Sequence, residues 1–448
     1  MTKHYDLVII GAGTAAMTAA KLVRAAGWKV AVIDFRPFGG TCALRGCDPK
    51  KMLIGGVEAL DHARRMRDHG VAGELHIEWQ KLMAFKRTFT DSVPQKMEQS
   101  YKDNGIDTYH GTARFVGPNT VQINAEQLEA KHILIASGAE PVTLNIPGEE
   151  YLVDNEGFLA LETLPHRIVL VGGGFIAAEF SHIAARAGAR VTILQHAERM
   201  LAEFDADLVA WLMQSFVALG IEIQTQTTVE RIEKTASGYQ VFSSSDGKPS
   251  MIEADLVVHA AGRAPKFDNL NLAAAGIETE KGRLKLNAYL QSVSNPAVYA
   301  AGDAAQMGPP LTPVSSHDAQ VVAANLLKGN HQKPNYYGVP SVAFTIPPIA
   351  TVGLSEASAH EKGIKFRMQS QKASSWFTAR QQAEPVYGFK VLIDEETDHI
   401  LGAHLVGPHV EEVINIFALA IRHDLTTEDL KTTIFAYPTG SSDIGSML

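Results

Sequence analysis

The stretch of sequence that decides the fold is DLVIIGAGTAA, residues 6–16. Its apolar run is typical of a buried strand, and it leads directly into a glycine-rich turn. Gly11 permits a tight turn, Gly13 lets a phosphate group approach the backbone, and the small Ala16 allows a helix to pack closely on the strand. The stretch therefore predicts a strand followed by a phosphate-binding turn.

The residues that follow complete a nucleotide-binding pattern. Residues 17–26 have the composition of a helix, and a second apolar run at residues 29–33 ends in Asp34. In a unit of this kind the helix N-terminus faces the phosphates, and an acidic residue at the end of the second strand accepts hydrogen bonds from a ribose. We predict a first dinucleotide site with Asp34 on the ribose.

The same unit occurs a second time, as RIVLVGGGFIA at residues 167–177. The offset between the two copies is 161 residues, since 172 − 11 = 161, and three positions obey it: Gly172, Gly174 and Ala177. One fingerprint of this kind is weak evidence, because glycine-rich turns also occur for packing reasons. Two copies in register predict two dinucleotide-binding domains.

The offset also identifies the position that discriminates between nicotinamide cofactors. Gln195 corresponds to Asp34, since 34 + 161 = 195. A carboxylate at this position would favour NADH and repel the 2′-phosphate of NADPH. Its absence, with His196 and Arg199 close by, favours NADPH slightly, but the two basic residues are equally consistent with a solvated loop. The choice between NADPH and NADH stays open.

Three later apolar segments are typical of the last strands of these units. The first ends in Ser137 and Gly138, the second in Gly262, and the third in Gly302 and Asp303. A carboxylate in the last position is placed to accept hydrogen bonds from a polar chain such as ribitol. Because this third segment follows the second copy of the unit, the first nucleotide domain is interrupted by the second and completed afterwards.

The C-terminal part of the chain has a different character. Short strands, such as residues 341–346 and 389–393, precede a helical periodicity at residues 410–422. The sequence therefore predicts an α/β fold with two Rossmann-like dinucleotide-binding domains and a separate C-terminal α+β domain. The predicted bounds are residues 1–148 with 267–331 for the first domain, 149–266 for the second and 332–448 for the third.

The bulk composition disfavours several classes of protein. The chain has 448 residues and a net charge of −9 that is spread along its length, which argues against nucleic acid as the main partner. No uncharged apolar stretch reaches the ~18 residues that a membrane span needs. The first apolar run leads into glycines and lacks a signal-peptide cleavage site. We predict a cytoplasmic protein with no membrane partner.

The only two cysteines, Cys42 and Cys47, lie in the segment GGTCALRGCDPKK, residues 39–51. Two cysteines in a chain of this length cannot form a stabilising disulfide framework. A zinc site would need further ligands, and no histidine lies between Asp34 and Asp61. A redox-active pair is therefore favoured over a structural one, and no resident metal is predicted.

The spacing of the two cysteines constrains the backbone between them. Residues five apart face different directions on a regular helix, so Cys42 and Cys47 can bond only across a distorted turn. Gly46 relaxes the backbone, and Pro49 predicts that Asp48 is not helical. A helix that begins in this segment would lower the pKa of a nearby thiol and favour the thiolate.

The segment resembles the Gly-Gly-Thr-Cys-x₄-Cys-x-Pro signature of the pyridine nucleotide-disulfide oxidoreductases, which include dihydrolipoamide dehydrogenase, glutathione reductase and mercuric reductase. The resemblance covers essentially the entire chain and its order of motifs, and residues 311–313 also fit it. It implies that the three domains are the FAD-binding, NAD(P)H-binding and dimerisation domains. The residues implied for FAD are Gly11, Gly13, Ala16, Asp34, Gly40, Thr41, Ser137, Gly138, Gly302 and Asp303, and those implied for NADPH or NADH are Gly172, Gly174, Ala177, Gln195, His196, Arg199 and Gly262.

The resemblance also implies roles for the residues around the cysteine pair. Cys42 corresponds to the interchange thiol that attacks the substrate, and Cys47 to the charge-transfer thiol next to the flavin. Lys51 corresponds to a lysine near the flavin N5 and Glu179 to its carboxylate partner, which would keep the lysine charged. Hydride equivalents would pass from NAD(P)H through FAD to a disulfide between the cysteines, and on to an acceptor. The family is homodimeric, with the C-terminal domain of one subunit closing the active site of the other.

The chain departs from the family pattern near its C-terminus. Where the disulfide reductases carry a histidine and a glutamate as a general acid–base pair, this chain has Tyr437 and Ser442. An unperturbed tyrosine has a pKa of ~10 and is a poor base at neutral pH, although it can donate a proton or bind a metal. Asp443 is one residue out of register and His423 lies on a preceding helix, so neither is an evident substitute.

Mercuric reductase also has a tyrosine in the histidine position, but it delivers its metal through a cysteine pair near the C-terminus. This chain has no cysteine beyond Cys47. The final acceptor therefore stays open between a disulfide, with Tyr437 or solvent as the proton donor, and a metal ion, quinone or other small molecule. A redox sensor that reports NAD(P)H status to a partner is a distant alternative from a different class. We predict an enzyme, an FAD-dependent NAD(P)H oxidoreductase.

Overall fold

A computed structural model describes residues 2–448. The chain folds into two compact units, each assembled from three segments. The first unit comprises residues 2–50, Ala84–Val142 and Arg263–Tyr336, and the second comprises Lys51–Met83, Thr143–Gly262 and Tyr337–Leu448. The finer division into three domains stays a prediction.

The first unit is built on a mixed seven-stranded sheet. Its strands lie in the order Asp107–His110, Val30–Asp34, Thr2–Ile10, Glu126–Ile135, Thr120–Ile123 and Ala113–Gly117, with Val298–Ala300 paired to Glu126–Ile135. Thr2–Ile10 runs parallel to both of its neighbours. Leu7, Val8 and Ile9 are fully buried, as expected of a central parallel strand that is covered on both faces.

Short and long helices complete the first unit. Its α-helices are Thr14–Ala25, Gly40–Arg45, Val93–Asp103 and Thr312–Lys328, and its 3₁₀ helices are Asp268–Leu270, Leu272–Ala275 and Gly302–Ala304. Two ribbons pair Glu140–Pro141 with Arg263–Ala264 and Thr279–Glu280 with Arg283–Leu284. Two further α-helices, Cys47–Arg65 and Trp79–Thr90, begin in one unit and end in the other.

The second unit contains three sheets. A parallel sheet has the order Glu222–Gln224, Arg190–Leu194, Arg167–Val171 and Leu256–His259. An antiparallel sheet consists of Thr227–Thr235, Gly238–Ser245 and Lys248–Ala254. A five-stranded antiparallel sheet has the order Ser341–Ala343, Ile349–Gly353, Ile400–Val406, Gly388–Asp394 and Phe366–Lys372.

The helices of the second unit are mostly short. The α-helices are Asn155–Leu159, Phe175–Arg186, Ala206–Ala218, Glu356–Glu361, Phe377–Arg380, Val410–Arg422, Thr427–Thr432 and Ile444–Met447, and the 3₁₀ helices are Arg67–His69, Glu149–Tyr151 and Gly440–Asp443. Val410–Arg422 packs its apolar face into the C-terminal core through Val413, Ile414 and Phe417. This amphipathic pattern is what the periodicity of the sequence predicted.

The predicted fold class is confirmed. Each copy of the repeated unit forms a strand, a glycine turn, a helix and a second parallel strand. The strand Arg167–Val171 and the helix Val410–Arg422 have the predicted bounds. No helix among residues 2–448 is long and apolar enough to cross a membrane.

Two local predictions were wrong. Asp48 is helical, because a new helix begins at Cys47 and places Pro49 in its first turn, where a proline costs no intrahelical hydrogen bond. The strand predicted at residues 341–346 ends at Ala343. Beyond that point the backbone of the segment is hydrogen-bonded to side chains of the helix Phe175–Arg186 instead of to a strand.

Candidate active site

The two glycine turns have the same geometry. Gly11 has φ +108° and Gly172 has φ +116°, a region that side chains rarely adopt. A Cβ on Gly11 would overlap the carbonyl oxygen of Ala136, and a Cβ on Gly172 would overlap that of Ala260. Each turn therefore requires glycine, both for its backbone angles and for its contact with the strand that follows later in the chain.

The helices behind these turns begin at glycines, which have no side chain to cap them. Gly13 is the N-cap of Thr14–Ala25 and Gly174 is the N-cap of Phe175–Arg186. Neither helix has an acidic residue in its first turn. The first N–H groups of an α-helix have no intrahelical partner and carry partial positive charge, so each terminus is suited to a phosphate group.

In the first unit a second glycine pair brings the cysteine segment close to the phosphate turn. A Cβ on Gly40 would overlap the Cα of Gly13, and one on Gly13 would lie 3.5 Å from the Cα of Gly40. Gly40 and Thr41 are the first residues of the short helix Gly40–Arg45, which carries Cys42. The two backbones can meet this closely only because neither residue has a side chain at the contact.

The carboxylate of Asp34 lies at the end of the second strand, as predicted. It accepts hydrogen bonds from the backbone N–H of Ala12 (2.8 Å) and of Arg36 (2.9 Å). Burial raises the pKa of Asp34 above the ordinary value, against the lowering effect of these two hydrogen bonds. Each carboxylate oxygen retains a second lone pair, so Asp34 can accept further hydrogen bonds from hydroxyl groups.

The remaining predicted residues of the first unit also follow strand ends. Ser137 and Gly138 come directly after Glu126–Ile135, and Gly302 and Asp303 after Val298–Ala300. Burial raises the pKa of Asp303, and the guanidinium group of Arg263 opposes the shift. The partly buried carboxylate of Asp303 is suited to accept hydrogen bonds from hydroxyl groups.

The Gly302 turn is held by a residue that the sequence reasoning missed. Asp318 accepts hydrogen bonds from the backbone N–H of Gly302 (3.0 Å) and from the hydroxyl of Tyr336 (2.8 Å). The sequence carries no distinctive signal for it, because Asp318 lies among other polar residues in the first half of the helix Thr312–Lys328. Such a residue is usually assigned to solvent, so its role depends on the fold.

In the second unit the three residues expected to select the cofactor differ in accessibility. Gln195 is buried and donates to the carbonyl oxygen of Arg199 (3.1 Å). The guanidinium group of Arg199 donates to the carbonyl oxygens of its own loop, namely those of Leu201, Ala202 and Phe204. His196 is exposed and Gly262, the last of the predicted residues, has φ +109°. Arg199 is thus largely occupied by its loop, which removes part of the argument for NADPH.

The cysteine pair spans a break between two helices. Cys42 lies in Gly40–Arg45, and Cys47 is the first residue of Cys47–Arg65. Both are free thiols in this structure, the reduced form of the predicted disulfide. A hydrogen bond to Cys47, together with partial burial, raises the pKa of the Cys42 thiol.

The helix Thr312–Lys328 contributes a hydroxyl group to this pair. The Oγ1 atom of Thr312 lies 3.7 Å from the Sγ atom of Cys47. Thr312 is the first residue of a 17-residue helix, so the positive end of the helix dipole is close to the sulfur. A thiolate at Cys47 is stabilised by such a donor and such a dipole. The sequence matched Thr312 to the family without revealing this contact, because 265 residues separate it from Cys47.

Lys51 and Glu179 meet through a third residue. The ammonium nitrogen of Lys51 lies 4.4 Å from the centre of the Phe344 ring, and the Phe344 backbone N–H donates to Glu179 (2.8 Å). Glu179 is buried, whereas Lys51 is exposed. Lys51 therefore lies next to the ring of Phe344, and Glu179 lies next to its backbone. Direct pairing between Lys51 and Glu179 stays a prediction.

The C-terminal segment carries other residues in the family's acid–base positions. Tyr437 is 80% exposed. Ser442 donates to the carbonyl oxygen of Thr439 (2.6 Å) and caps the turn Gly440–Asp443. The neighbouring Asp443 accepts from the hydroxyl of Tyr387 (2.8 Å). Ser442, in the glutamate position, and the adjacent Asp443 are thus both engaged in hydrogen bonds within the fold.

Comparison with known proteins decides the family. Residues 5–319 match the pyridine nucleotide-disulphide oxidoreductase family, and residues 339–448 match the dimerisation domain of that family. The chain belongs to this family. It is a flavoprotein oxidoreductase whose cofactors are FAD and NAD(P)H, and its C-terminal part is a dimerisation domain.

Three relatives give the range of the family around this chain. A mercuric reductase of Lysinibacillus sphaericus is 33% identical over 442 residues, which cover 97% of this chain and 80% of that protein. A dihydrolipoyl dehydrogenase of Staphylococcus aureus is 32% identical over 447 residues, which cover 97% and 94%. The third is a solved structure of the HOCl-induced flavoprotein disulfide reductase RclA of Escherichia coli, a cysteine-to-serine mutant in complex with Cu(II). It is 27% identical to this chain, with a TM-score of 0.89, and the match covers 100% of this chain and 99% of that protein.

Proposed function

We propose that this protein is an NAD(P)H-dependent flavoprotein reductase in which the Cys42–Cys47 pair delivers electrons to a metal ion, and that Cu(II) is a substrate. The proposal is supported above all by the C-terminal segment. Reduction of a disulfide requires a proton for the leaving thiolate, and the histidine–glutamate pair that supplies it in the disulfide reductases is replaced by Tyr437 and Ser442. A metal ion needs no such proton.

The relatives favour copper over mercury. RclA of E. coli has been solved in complex with Cu(II) both as the wild type and as a cysteine mutant. The mercuric reductases match at higher identity. However, the cysteine pair that delivers mercury in that enzyme has no counterpart here, since Cys47 is the last cysteine of the chain. Among residues 2–448 no group of three or more histidine, cysteine, aspartate or glutamate side chains is arranged to hold a metal ion.

The residues proposed to hold FAD surround the first glycine turn. The open helix terminus at Gly13 and the adjoining Gly40 and Thr41 fit a pyrophosphate, and the partly buried carboxylates of Asp34 and Asp303 fit the hydroxyl groups of ribose and ribitol. The remaining residues proposed for this role are Gly11, Ala16, Ser137, Gly138 and Gly302. When bound, FAD accepts a hydride from NAD(P)H and releases the electrons singly or in pairs.

The residues proposed to hold NAD(P)H surround the second turn. The helix terminus at Gly174 fits the pyrophosphate, and Gln195 at the strand end is within the region that meets the ribose. Gly172, Ala177, His196, Arg199 and Gly262 complete the proposed set. Lys51 is proposed to supply positive charge to the flavin, with Glu179 as its carboxylate partner.

The chemistry at the cysteine pair balances with two copper ions. The two thiols lose two electrons and two protons as the disulfide forms, and two Cu(II) ions each take one electron and become Cu(I). Because soft thiolate sulfur binds copper well, the dithiol form engages the metal, and formation of the disulfide releases the Cu(I) product. Thr312 and its helix stabilise a thiolate at Cys47, the sulfur proposed to lie next to the flavin, and Cys42 is proposed to be the thiol that engages the metal.

The dimerisation domain supports a homodimer, and we propose that the C-terminal segment of one subunit covers the cysteine pair of the other. Ile434 is 98% exposed and Tyr437 is 80% exposed. Side chains of this size lose that exposure when a partner covers them, and the burial stabilises the complex. We also propose a cytoplasmic location, a reducing compartment in which a close cysteine pair is more often catalytic than structural.

The test is an anaerobic acceptor screen with the FAD-loaded full-length protein. NADPH, and separately NADH, is mixed with Cu(II), Hg(II), glutathione disulfide, lipoamide or a quinone, and both nicotinamide oxidation and Cu(I) formation are followed. We expect Cu(II) to be reduced with two Cu(I) per NAD(P)H, and a loss of at least about 10²-fold in Cys42→Ser and in Cys47→Ser.

Three results would contradict the proposal. Faster turnover of glutathione disulfide or lipoamide than of Cu(II) would show a disulfide reductase that works without the histidine. Reduction of Hg(II) alone would identify a mercury enzyme with a different delivery route. Reduction of Cu(II) that persists in both serine variants would show that the flavin reduces the metal directly.

A further inference from the structure

Three polar side chains lie on one face of the helix Phe175–Arg186. Glu179, His182 and Arg186 are spaced i, i+3 and i+7, which places them in one row along the helix. All three are buried. The surrounding sequence, FIAAEFSHIAAR, is otherwise composed largely of alanine and apolar residues, so this row interrupts a face that would normally be apolar.

The row is hydrogen-bonded to the backbone of residues 344–346. Glu179 accepts from the N–H of Phe344 (2.8 Å), and Nδ1 of His182 accepts from the N–H of Ile346 (3.0 Å). Arg186 donates to the carbonyl oxygen of Ile346 (3.2 Å). The helix therefore holds this segment in the way that a neighbouring strand would, and it fixes the place of the Phe344 ring.

His182 acts in this row as a neutral acceptor. Its Nδ1 atom faces two donors, the N–H of Ile346 and the guanidinium group of Arg186 at 3.1 Å, so the ring proton is on Nε2. Burial and the charge of Arg186 lower the pKa of His182 well below its ordinary value. The geometry and the lowered pKa both favour the neutral ring of His182.

Arg186 also connects this helix to the one that carries Lys51. Its guanidinium group donates to one carboxylate oxygen of Asp61, with distances of 2.9 Å from Nε and 2.8 Å from Nη2. The other oxygen of Asp61 is 3.0 Å from Arg65, which in turn pairs with the buried Glu384 at 2.5 Å. Two guanidinium groups and two carboxyl groups are gathered in this network, so opposite charges face one another where the carboxyl groups are ionised.

The helix Cys47–Arg65 is therefore fixed at two points. Near its start, Lys51 lies over the ring of Phe344, and ten residues later Asp61 is bound by Arg186. At 1.5 Å per residue the two points are about 15 Å apart along the helix. Phe344 and Arg186 are themselves joined through the row of side chains, so the contacts form a closed loop through both helices.

We propose that His182 and Arg186 are positioning residues, which fix Lys51 relative to Glu179 through Phe344 and Asp61. This inference rests on the proposed role of Lys51 beside the flavin, and it does not depend on the identity of the final acceptor. A buried ion-pair network is itself weak evidence for a contribution to stability, because apolar residues of similar volume serve as well. A requirement for defined geometry at Lys51 accounts for its presence.

The first test is a double-mutant cycle on the FAD-loaded protein. Arg186→Lys, Lys51→Met and the double variant are compared by the limiting rate of flavin reduction at saturating NAD(P)H and by the flavin midpoint potential. Arg186→Lys retains the charge but not the fork that binds Asp61 and Ile346 together. We expect about a tenfold lower limiting rate, an unchanged Kd for NAD(P)H, and a shift of the potential in the same direction as in Lys51→Met.

The cycle is decisive because Arg186 is proposed to act through Lys51. In the Lys51→Met background, Arg186→Lys should cause little further change in either quantity. An equal effect in both backgrounds would overturn the inference, as would a normal rate and potential in Arg186→Lys while Lys51→Met is impaired. If Lys51→Met itself changes neither quantity, the proposed role of Lys51 fails. A failure of Cu(II) reduction would leave these measurements unaffected.

A matched pair of variants at His182 separates positioning from packing. In His182→Asn the side-chain oxygen can take the place of Nδ1 as acceptor for Ile346, whereas the leucine of His182→Leu has a volume similar to that of histidine and no acceptor. We expect His182→Asn to retain most of the limiting rate and His182→Leu to lose about tenfold. Equal losses in variants of equal FAD content and melting temperature would contradict a role for the hydrogen bond.

Discussion

The two copies of the nucleotide-binding unit share their turn but differ in the helix and the strand end that follow. Gly11 and Gly172 adopt the same left-handed backbone against a later strand. The first helix buries only Ala15, Ala16, Ala19, Ala20 and Val23, whereas the second buries charged residues as well. At the end of the second strand, the first copy has the carboxylate of Asp34 and the second copy has the amide of Gln195.

This difference separates what the fold needs from what the site needs. The turn is set by steric contact between backbones, so it is the same wherever the unit occurs. The helix face and the strand end tolerate many side chains in a Rossmann unit, and they have diverged here. Residues that differ between the two copies are therefore better candidates for a functional role than residues that the copies share.

The largest effect is expected from a methyl group in either turn. In Gly11→Ala and in Gly172→Ala the new Cβ overlaps a carbonyl oxygen of the later strand. We expect a destabilisation of about 2–4 kcal/mol in each. Gly11→Ala should also lose FAD, whereas Gly172→Ala should retain FAD and bind NAD(P)H at least about tenfold more weakly. Flavin content, thermal unfolding and nicotinamide titration measure these outcomes.

Gly188→Ala is the matched control for the turn variants. Gly188 has φ +105°, close to that of Gly11, but a Cβ there meets no other atom of residues 2–448 within 4 Å. It should cost only about 1 kcal/mol and leave both cofactors bound. If Gly188→Ala is as destabilising as Gly11→Ala, backbone strain alone explains why Gly11 and Gly172 are glycines. The hypothesis that both turns require glycine because of a steric clash would then be wrong.

The second prediction concerns the charged network behind the second helix, where the first helix buries only alanines and a valine. Burial raises the pKa of Glu384 from 4.5 to about 7, although the guanidinium group of Arg65 opposes the shift. The folded protein therefore binds a proton more tightly than the unfolded chain between these two values. Stability should fall as the pH rises through this window and change no further above it.

The contribution of Glu384 to this fall is expected to be about 1–3 kcal/mol between pH 5 and pH 8. Glu384→Gln cannot titrate, so its melting temperature should depend less on pH than that of the wild type. Glu396→Gln, which alters an exposed carboxylate, is the control and should follow the wild-type curve. Parallel curves for the wild type and Glu384→Gln would show that the buried pair is ionised throughout.

Much of the shared framework could be predicted from the sequence. The offset of 161 residues located both turns, and the apolar runs located the parallel strands. Both could be predicted because buried strands require apolar runs and tight turns require glycines, and both patterns are local in the sequence. The cysteine pair was proposed from the same kind of local signal, its spacing and its glycines. Asp34 was placed correctly at a strand end because its position follows from the turn.

What could not be predicted depends on partners far away in the chain. His182 and Arg186 look like the polar positions of an ordinary helix, and only the fold brings Asp61 and Ile346 to them. The sequence signal that could have found them is a row of three polar residues in an apolar helix. The role of Arg199 was missed for the opposite reason, because its partners are carbonyl groups of its own loop, which no side-chain pattern reveals.

The smallest effect is expected at the strand end of the second unit, where an amide replaces the carboxylate of the first. Gln195→Glu restores a negative charge where the 2′-phosphate of NADPH is expected, so the ratio of kcat/KM for NADH to that for NADPH should rise about tenfold. Part of the change reflects the loss of the hydrogen bond from Gln195 to the carbonyl oxygen of Arg199, which a carboxylate cannot donate. Gln195→Met removes that hydrogen bond without adding charge, so it should weaken both cofactors alike and leave the ratio close to that of the wild type. An unchanged ratio in Gln195→Glu would mean that the two strand ends, despite their common position in the unit, do not meet equivalent parts of their nucleotides.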